Sequence, residues 1–207
     1  NSVLRRVPVI RATAVTMRKN PIYYHMYNGS PASEGLAVGS TVNDVGLFRQ
    51  LKEVIPEMVD ACLLSTWGGI TAIAISRDGK KRIPGLAKRV AFATKIIKAG
   101  GFVKNVVVVD EDVDVRDPEQ VLWAWSTRFQ GSRDITVVPG FTGNFLDPSE
   151  PSGGMGPGYN AYTIFDCTEA LPPYDLAYKR GMAQPSGAVM QNVTREWGAN
   201  GYGEEMN

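Results

Sequence analysis

Histidine is nearly absent from this 207-residue chain: His25 is the only one. A zinc site that needs two imidazoles from this chain is thereby excluded, and a Ser-His or Cys-His pair has one candidate base. Flanked by Tyr23, Tyr24, Met26 and Tyr27, that histidine reads more readily as a packing residue. Cysteine is almost as scarce. Cys62 and Cys167 stand far apart in apolar contexts, as free thiols do in a reducing, cytoplasmic compartment. Charge of one sign is lacking too, with 22 basic and 21 acidic residues, so nucleic acid and anionic membranes are not expected partners. No apolar run approaches the roughly 20 residues of a membrane span. The N-terminal stretch lacks the apolar block and cleavage site of a signal peptide. Glycine is plentiful, but no G-x-G-x-x-G or G-x-x-x-x-G-K-[ST] pattern places it around a nucleotide phosphate.

What the chain does have is concentrated in Val106–Arg128, VVVVDEDVDVRDPEQVLWAWSTR. Four consecutive valines suit a strand buried on both faces. Five acids follow within eight residues: Asp110, Glu111, Asp112, Asp114 and Asp117. Asp117 reads as a helix N-cap, with Pro118 at the first helical position and Gln120 placed to reach back as in a capping box. Val121, Leu122 and Trp125 are expected to form the buried side of that helix. Strand, acidic loop and capped helix make half of an α/β unit.

The remaining elements extend this pattern. Strands are expected in residues 1–16, 20–27, 58–64, 70–76, 134–138 and 161–166, and a helix over 41–52. A second helix is opened by Pro84, carries Leu86, Val90, Ala93 and Ile97 on one face, and is closed by Gly100-Gly101. RDGKKR (77–82) reads as a turn through Asp78-Gly79. Alternating helices and strands predict right-handed crossovers and a mostly parallel sheet with flanking helices. A lone first strand has nothing upstream to pair with, so the chain reads as the tail of a longer polypeptide or one subunit of a split protein. Residues 171–207 show no clear core pattern and are expected to form an extended tail on a neighbouring surface.

Two kinds of side chain could carry chemistry, each with a plainer reading beside it. Acids at the carboxyl end of a strand could hold Mg²⁺ or activate a water. The plainer alternative caps a helix, lets one acid accept backbone N–H groups and leaves the rest solvated. Lys98, just before Ala99-Gly100-Gly101, could reach a phosphate, although a lysine at a helix C-terminus is favourable without any ligand. GFTGNFLDPS suits either a loop closing an apolar pocket or a plain loop anchored by Phe145 and Leu146.

The organising stretch, followed by Arg133-Asp134, resembles the C-terminal domain of the UbiD-type aromatic-acid decarboxylases. The agreement continues through VTMRKNPIYYH near the start, GLAKRV at 85–90, LDPS at 146–149 and TREWG near the end, in family order. Where family members often have threonine-histidine-arginine, this chain has Thr16-Met17-Arg18.

The resemblance implies prenylated FMN as cofactor and reversible loss of CO₂ from an aromatic or α,β-unsaturated carboxylic acid. It also implies a divalent metal (Mn or Mg) and K⁺, with ligands mostly outside this chain. Residues 1–27 would be the last strands of a split β-barrel that holds the cofactor, and residues 28–170 the α/β domain. The family's catalytic arginine and glutamates lie upstream, so no catalytic residue is expected here and the chain by itself is expected to be inactive. By position, Lys98 resembles the lysine that approaches the cofactor phosphate. Phe145 and Leu146 fall on a pocket-lining segment, and Ala37 and Val38, following Glu34, near another pocket wall. In the family the acid cluster is a fold signature. Expected partners are the acid and either further copies, as dimer or hexamer, or the missing N-terminal part. The alternative is a non-catalytic α/β assembly subunit of a multi-subunit carboxylase or decarboxylase.

Overall fold

The computed structural model of the chain describes residues 8–27, 33–64, 69–144, 147, 149, 159–171 and 185–199. It falls into two compact units, residues 1–171 and 172–207. In the first, the elements in order are α1 (Glu34–Val54), β1 (Met58–Leu63), β2 (Ile70–Ile75), α2 (Arg77–Arg82), α3 (Leu86–Ile96), a 3₁₀ turn (Lys98–Gly100), β3 (Asn105–Asp110), α4 (Pro118–Arg128), β4 (Ile135–Thr142) and β5 (Tyr159–Asp166). The described part of the second unit is one helix, α5 (Gly187–Ala199), where an extended tail was expected.

The α/β class follows from the valine run. Val106, Val107, Val108 and Val109 of β3 are all fully buried, and β3 lies at the centre of a five-stranded sheet of order β1-β2-β3-β5-β4. β3 pairs in parallel with β2 and β5, while β1 and β4 run antiparallel at the two edges. The parallel character is therefore central and the sheet as a whole is mixed. On one face Val106, Val108, Tyr162 and Ile164 pack with Leu47 and Leu51 of α1 and Leu86, Val90 and Ala93 of α3. On the other, Val107 and Val109 pack with Val113, Val115, Val121 and Ala124. None of the helices among the described residues is long and apolar enough to cross a membrane.

Local chemistry sets the ends of the helices. Asp117 caps α4 by accepting from Glu119 N at 2.9 Å, with Pro118 next in line. Gln120 donates to Asp117 Oδ2 (3.1 Å), and its own oxygen accepts from Asp114 N (3.0 Å) rather than from the cap residue. Asp117→Ala is expected to cost about 1 kcal/mol in urea unfolding. A loss above about 3 kcal/mol would mean that the loop, and not only the cap, depends on it. The buried stripe of α4 is Val121, Ala124 and Arg128, with Trp125 half-buried beside it and Leu122 exposed. Leu122 is one residue from Val121, roughly 100° around the helix, and so leaves the stripe.

Three further expectations are corrected. RDGKKR is the helix α2, capped by Ser76 Oγ, which accepts from Gly79 N at 3.3 Å. Gly79 serves close approach there, since a Cβ at that position would stand 2.6 Å from Glu57 Cγ. The strands expected in residues 1–16 and 20–27 are absent across 8–27, which are exposed and carry no regular structure. A strand needs a neighbour to satisfy its N–H and C=O groups, and those residues have none within this sheet.

Candidate functional site

The parallel strands give the domain two chemically different ends. At their carboxyl ends, Asp110 closes β3 with its side chain fully buried. Its Oδ1 lies 2.6 Å from Lys80 Nζ, its Oδ2 accepts from Glu169 N at 2.6 Å, and Arg128 Nη1 stands 3.6 Å away. Asp112 accepts both arms of Arg128, at 3.1 and 2.6 Å, and pairs with Arg77 at 2.9 Å. Glu169 completes the set, 3.1 Å from Arg77 and 3.8 Å from Arg128. The Arg128 guanidinium also lies over the Trp123 ring at 4.9 Å.

Three cations thus face three carboxylates. Burial pushes the Asp112 carboxyl up, but the bond to Arg128 and the charges of Arg128 and Arg77 outweigh it and hold the group below the usual carboxylate range. Carboxylates engaged in this way have few lone pairs left for a cation, and no group of three metal-ligating side chains occurs among the described residues. Asp110 and Asp112 act as counter-ions, which neither reading of the acid cluster had specified. The missing signal was the identity of the partners. Lys80 lies in a basic run that reads as surface, and Arg128 lies at the end of a helix.

The thiols take no part. Burial pushes Cys167 up to about 12, and burial together with Asp44 pushes Cys62 up to about 11, so neither is a thiolate at neutral pH. His25 is exposed, its ring stacked on Tyr23 with centroids 6.2 Å apart.

The opposite end, at the amino ends of the parallel strands, holds Lys98 and the outer half of α1, with Ala37 and Val38. Lys98 is exposed on the 3₁₀ turn that follows α3. That turn packs on α1: Ala99 N donates to Gln50 Oε1 at 3.2 Å, and a Cβ at Gly46 would be 3.6 Å from Ala99 Cβ. The C-terminus of α1 leads into Met58, which pairs with Ile75, so α1 runs from the amino end to the carboxyl end. Ala37 and Val38 therefore lie about 12 Å further out along the helix than Gly46. Both are exposed, as is Val42 on the same half of α1 and Val45 just past its middle.

Phe145 and Leu146 lie outside the described residues, but the residues that flank them belong to this end. Thr142 closes β4 opposite Tyr159. Asp147 N donates to Asn144 O at 2.9 Å. Asp147 Oδ2 meets Lys104 Nζ at 2.8 Å and accepts from Asn160 Nδ2 at 3.2 Å, while Oδ1 accepts from Ser149 N at 2.9 Å. Burial raises the Asp147 carboxyl, and Lys104 and Ser149 more than reverse that. Lys95, which the sequence offers only as a favourable cation near the end of a helix, reaches from α3 to Gly101 O (3.2 Å) and Thr142 O (3.1 Å), and burial pushes its amine down to about 8.

Known proteins with this arrangement give it a family. The profile of the 3-octaprenyl-4-hydroxybenzoate carboxy-lyase C-terminal domain matches residues 37–167, more than half of the chain. The vanillic acid decarboxylase of Sedimentibacter hydroxybenzoicus, in its open form, superposes with a TM-score of 0.72 at 32% identity, over 88% of this chain and 38% of its own. The UbiD-class enzyme HmfF of Pelotomaculum thermopropionicum, solved with FMN, gives 0.59 at 30% identity, over 74% of this chain and 33% of its own. The 3,4-dihydroxybenzoic acid decarboxylase of Klebsiella pneumoniae shares the fold, at 0.60 and 23% identity. The chain spans about two fifths or less of the length of these enzymes. With the valine strand, the paired acid loop and the capped helix all inside the matched region, the chain belongs to the UbiD family of decarboxylases, as its C-terminal portion.

Proposed function

We propose that this chain is the C-terminal part of a reversible carboxy-lyase that removes CO₂ from an aromatic or α,β-unsaturated carboxylic acid with prenylated FMN. In this reading the amino end of its parallel strands faces the cofactor. The observation that carries it is the gathering at that one end of Lys98, the outer half of α1 with Ala37 and Val38, and the anchors on either side of Phe145 and Leu146. An evolved dimeric form of HmfF is solved with prenylated FMN, which supports the choice of cofactor.

Bound prenylated FMN supplies the covalent electron sink for loss of CO₂, and the protein supplies orientation and electrostatics. The exposed ammonium of Lys98 fits a phosphate and would hold that of the flavin. Ala37, Val38, Phe145 and Leu146 would form an apolar wall that excludes water from the acid's ring. The divalent metal and K⁺ would be held mostly by residues outside this chain, where the catalytic arginine and glutamates would also lie. The exposed residues 8–27 and the outer half of α1 would be covered by the polypeptide that carries those groups, or by further copies in a dimer or hexamer.

The test is exchange of labelled bicarbonate into a panel of aromatic and unsaturated acids by the full-length protein reconstituted with prenylated FMN. Residues 1–207 alone serve as the inactive control. No exchange with any acid overturns the proposal. In the active enzyme, Leu146→Ala is expected to change the kcat/KM ranking of two acids of different ring size by about 1–3 kcal/mol per methylene-sized misfit. A core role for Leu146 predicts instead a stability loss of about 2–5 kcal/mol with the ranking unchanged.

A second reading, a non-catalytic assembly subunit, draws on the carboxyl-end charges being paired with one another. It requires flavin retention and substrate ranking to be indifferent to Lys98→Ala and Leu146→Ala.

A further inference from the structure

Lys95 sits in the last turn of α3, yet its partners are not the carboxylates that a half-buried lysine usually finds. Its ammonium donates to the carbonyls of Gly101 and Thr142, at 3.2 and 3.1 Å, and lies over the Tyr162 and Phe141 rings at 5.1 and 5.9 Å. The two carbonyls come from parts of the chain 41 residues apart in sequence, one just after the turn that bears Lys98 and the other at the end of β4.

The chain immediately beyond Thr142 is constrained at close range. A Cβ on Gly143 would stand 2.1 Å from Asn160 Nδ2, so the backbone there lies against the Asn160 side chain. Asn160 in turn donates to Asp147, which Lys104 also holds.

We propose that Lys95 is a positioning residue: it ties the Gly101 turn to the last residue of β4 and so fixes where the chain sets out toward Phe145 and Leu146. Lys104, through Asp147, fixes where that chain returns. The effect on substrate choice rests on the reading of Phe145 and Leu146 given above, whereas the tie itself does not.

The groups around Lys95 make the tie testable by pH. From β5 the titratable neighbour is Tyr162, whose hydroxyl donates to Ala91 O and whose ionisation burial pushes far upward. From β4, Phe141 and Thr142 carry no charge, and Lys98 on the adjoining turn is exposed. Burial lowers the Lys95 amine from 10.5 to about 8. An opening that frees it from Thr142 returns it to water and to its ordinary value. Between about pH 8 and 10.5 the open state then binds the proton more tightly, and the closed state gains on it as pH rises.

Amide hydrogen exchange on this chain, corrected for the intrinsic rate, reads the effect directly. In Lys95→Met the amides at 141–144 are expected to exchange about tenfold faster at pH 7, with β3 amides unchanged. In the wild type, protection at 141–144 is expected to be higher at pH 9 than at pH 7. Lys95→Arg keeps a donor and a permanent charge, so it should retain protection at pH 7 without the pH step. Unchanged exchange in Lys95→Met, an equal rise across β3, or a wild type without the step would each overturn the proposal. In the full-length enzyme Lys95→Met should also alter the KM ranking of two acids of different ring size with kcat little changed. If exchange behaves as expected and that ranking does not move, the tie stands and the placement of Phe145 and Leu146 against the acid falls.

Discussion

Asp110→Ala is expected to lower the free energy of unfolding by about 3–5 kcal/mol, the cost of leaving buried charges uncompensated. The wild-type carboxylate is fully buried between the almost equally buried Lys80 and Arg128, and it also accepts Glu169 N. Alanine would leave Lys80 with the Glu169 carbonyl but no carboxylate, remove one of the carboxylates facing Arg128, and deprive Glu169 N of its acceptor. Against a total of about 5–15 kcal/mol for a domain, that is a large fraction. The measurement is a urea midpoint shift at constant slope, and a loss below about 1 kcal/mol would show that water reaches the cluster. Asp110→Asn keeps the acceptor for Glu169 N and is expected to fall between wild type and alanine. The neighbouring Asp112 adds a pH signature. Its folded-state value is held below the ordinary one, so its contribution is present above the usual carboxylate range and disappears as pH falls through the depressed value.

Gly100→Ala is expected to cost about 3 kcal/mol. A Cβ there would stand 1.8 Å from Thr94 O and 2.7 Å from its carbonyl carbon, which are backbone atoms that cannot swing aside as a side-chain tip can. Thr94 is fully buried, and its hydroxyl donates to Val90 O at 3.0 Å, so relief must come from displacing the end of α3 or the 3₁₀ turn. Either displacement moves Lys95 and Lys98. Thermal melting of Gly100→Ala beside Gly39→Ala, where a Cβ would meet nothing within 4 Å, separates this clash from a general intolerance of alanine. Equal melting temperatures for the two variants would refute it.

The elements with purely local causes were legible in the sequence. Four valines made a central strand, Asp117-Pro118 made a helix start, and Pro84 with Gly100 bounded a helix between them. What could not be read depended on partners distant in sequence. Lys80 and Lys81 are indistinguishable by composition, yet one pairs with buried Asp110 and the other with exposed Asp78. Gly79 looked like a turn because the close approach of Glu57, 22 residues earlier, leaves no local trace. The sheet order was equally hidden, because periodicity marks β4 and β5 as strands without saying which of them lies next to β3. Of the candidate site, Lys98, Ala37 and Val38 rest on resemblance and stand as a proposal. The inward turn of Lys95 could not be read, since nothing in ATKIIKAGG tells which lysine turns inward.

The strand order has a consequence for how the chain comes off the ribosome. β5 is the last of this sheet's strands to be synthesised, yet it occupies an interior place between β3 and β4. When β3 has emerged, its far edge, lined by Val106, Val107 and Val108, has no mate until Thr163–Asp166 arrive. At about 5–20 residues per second that is a wait of about 3–11 s. Throughout it an apolar edge of the kind that recruits foreign strands stands open. β4 is made in the interval and must stay off that edge, since its own place is outside β5. The domain closes from its middle, late, and the protection of the nascent edge falls to whatever meets the chain as it leaves the tunnel.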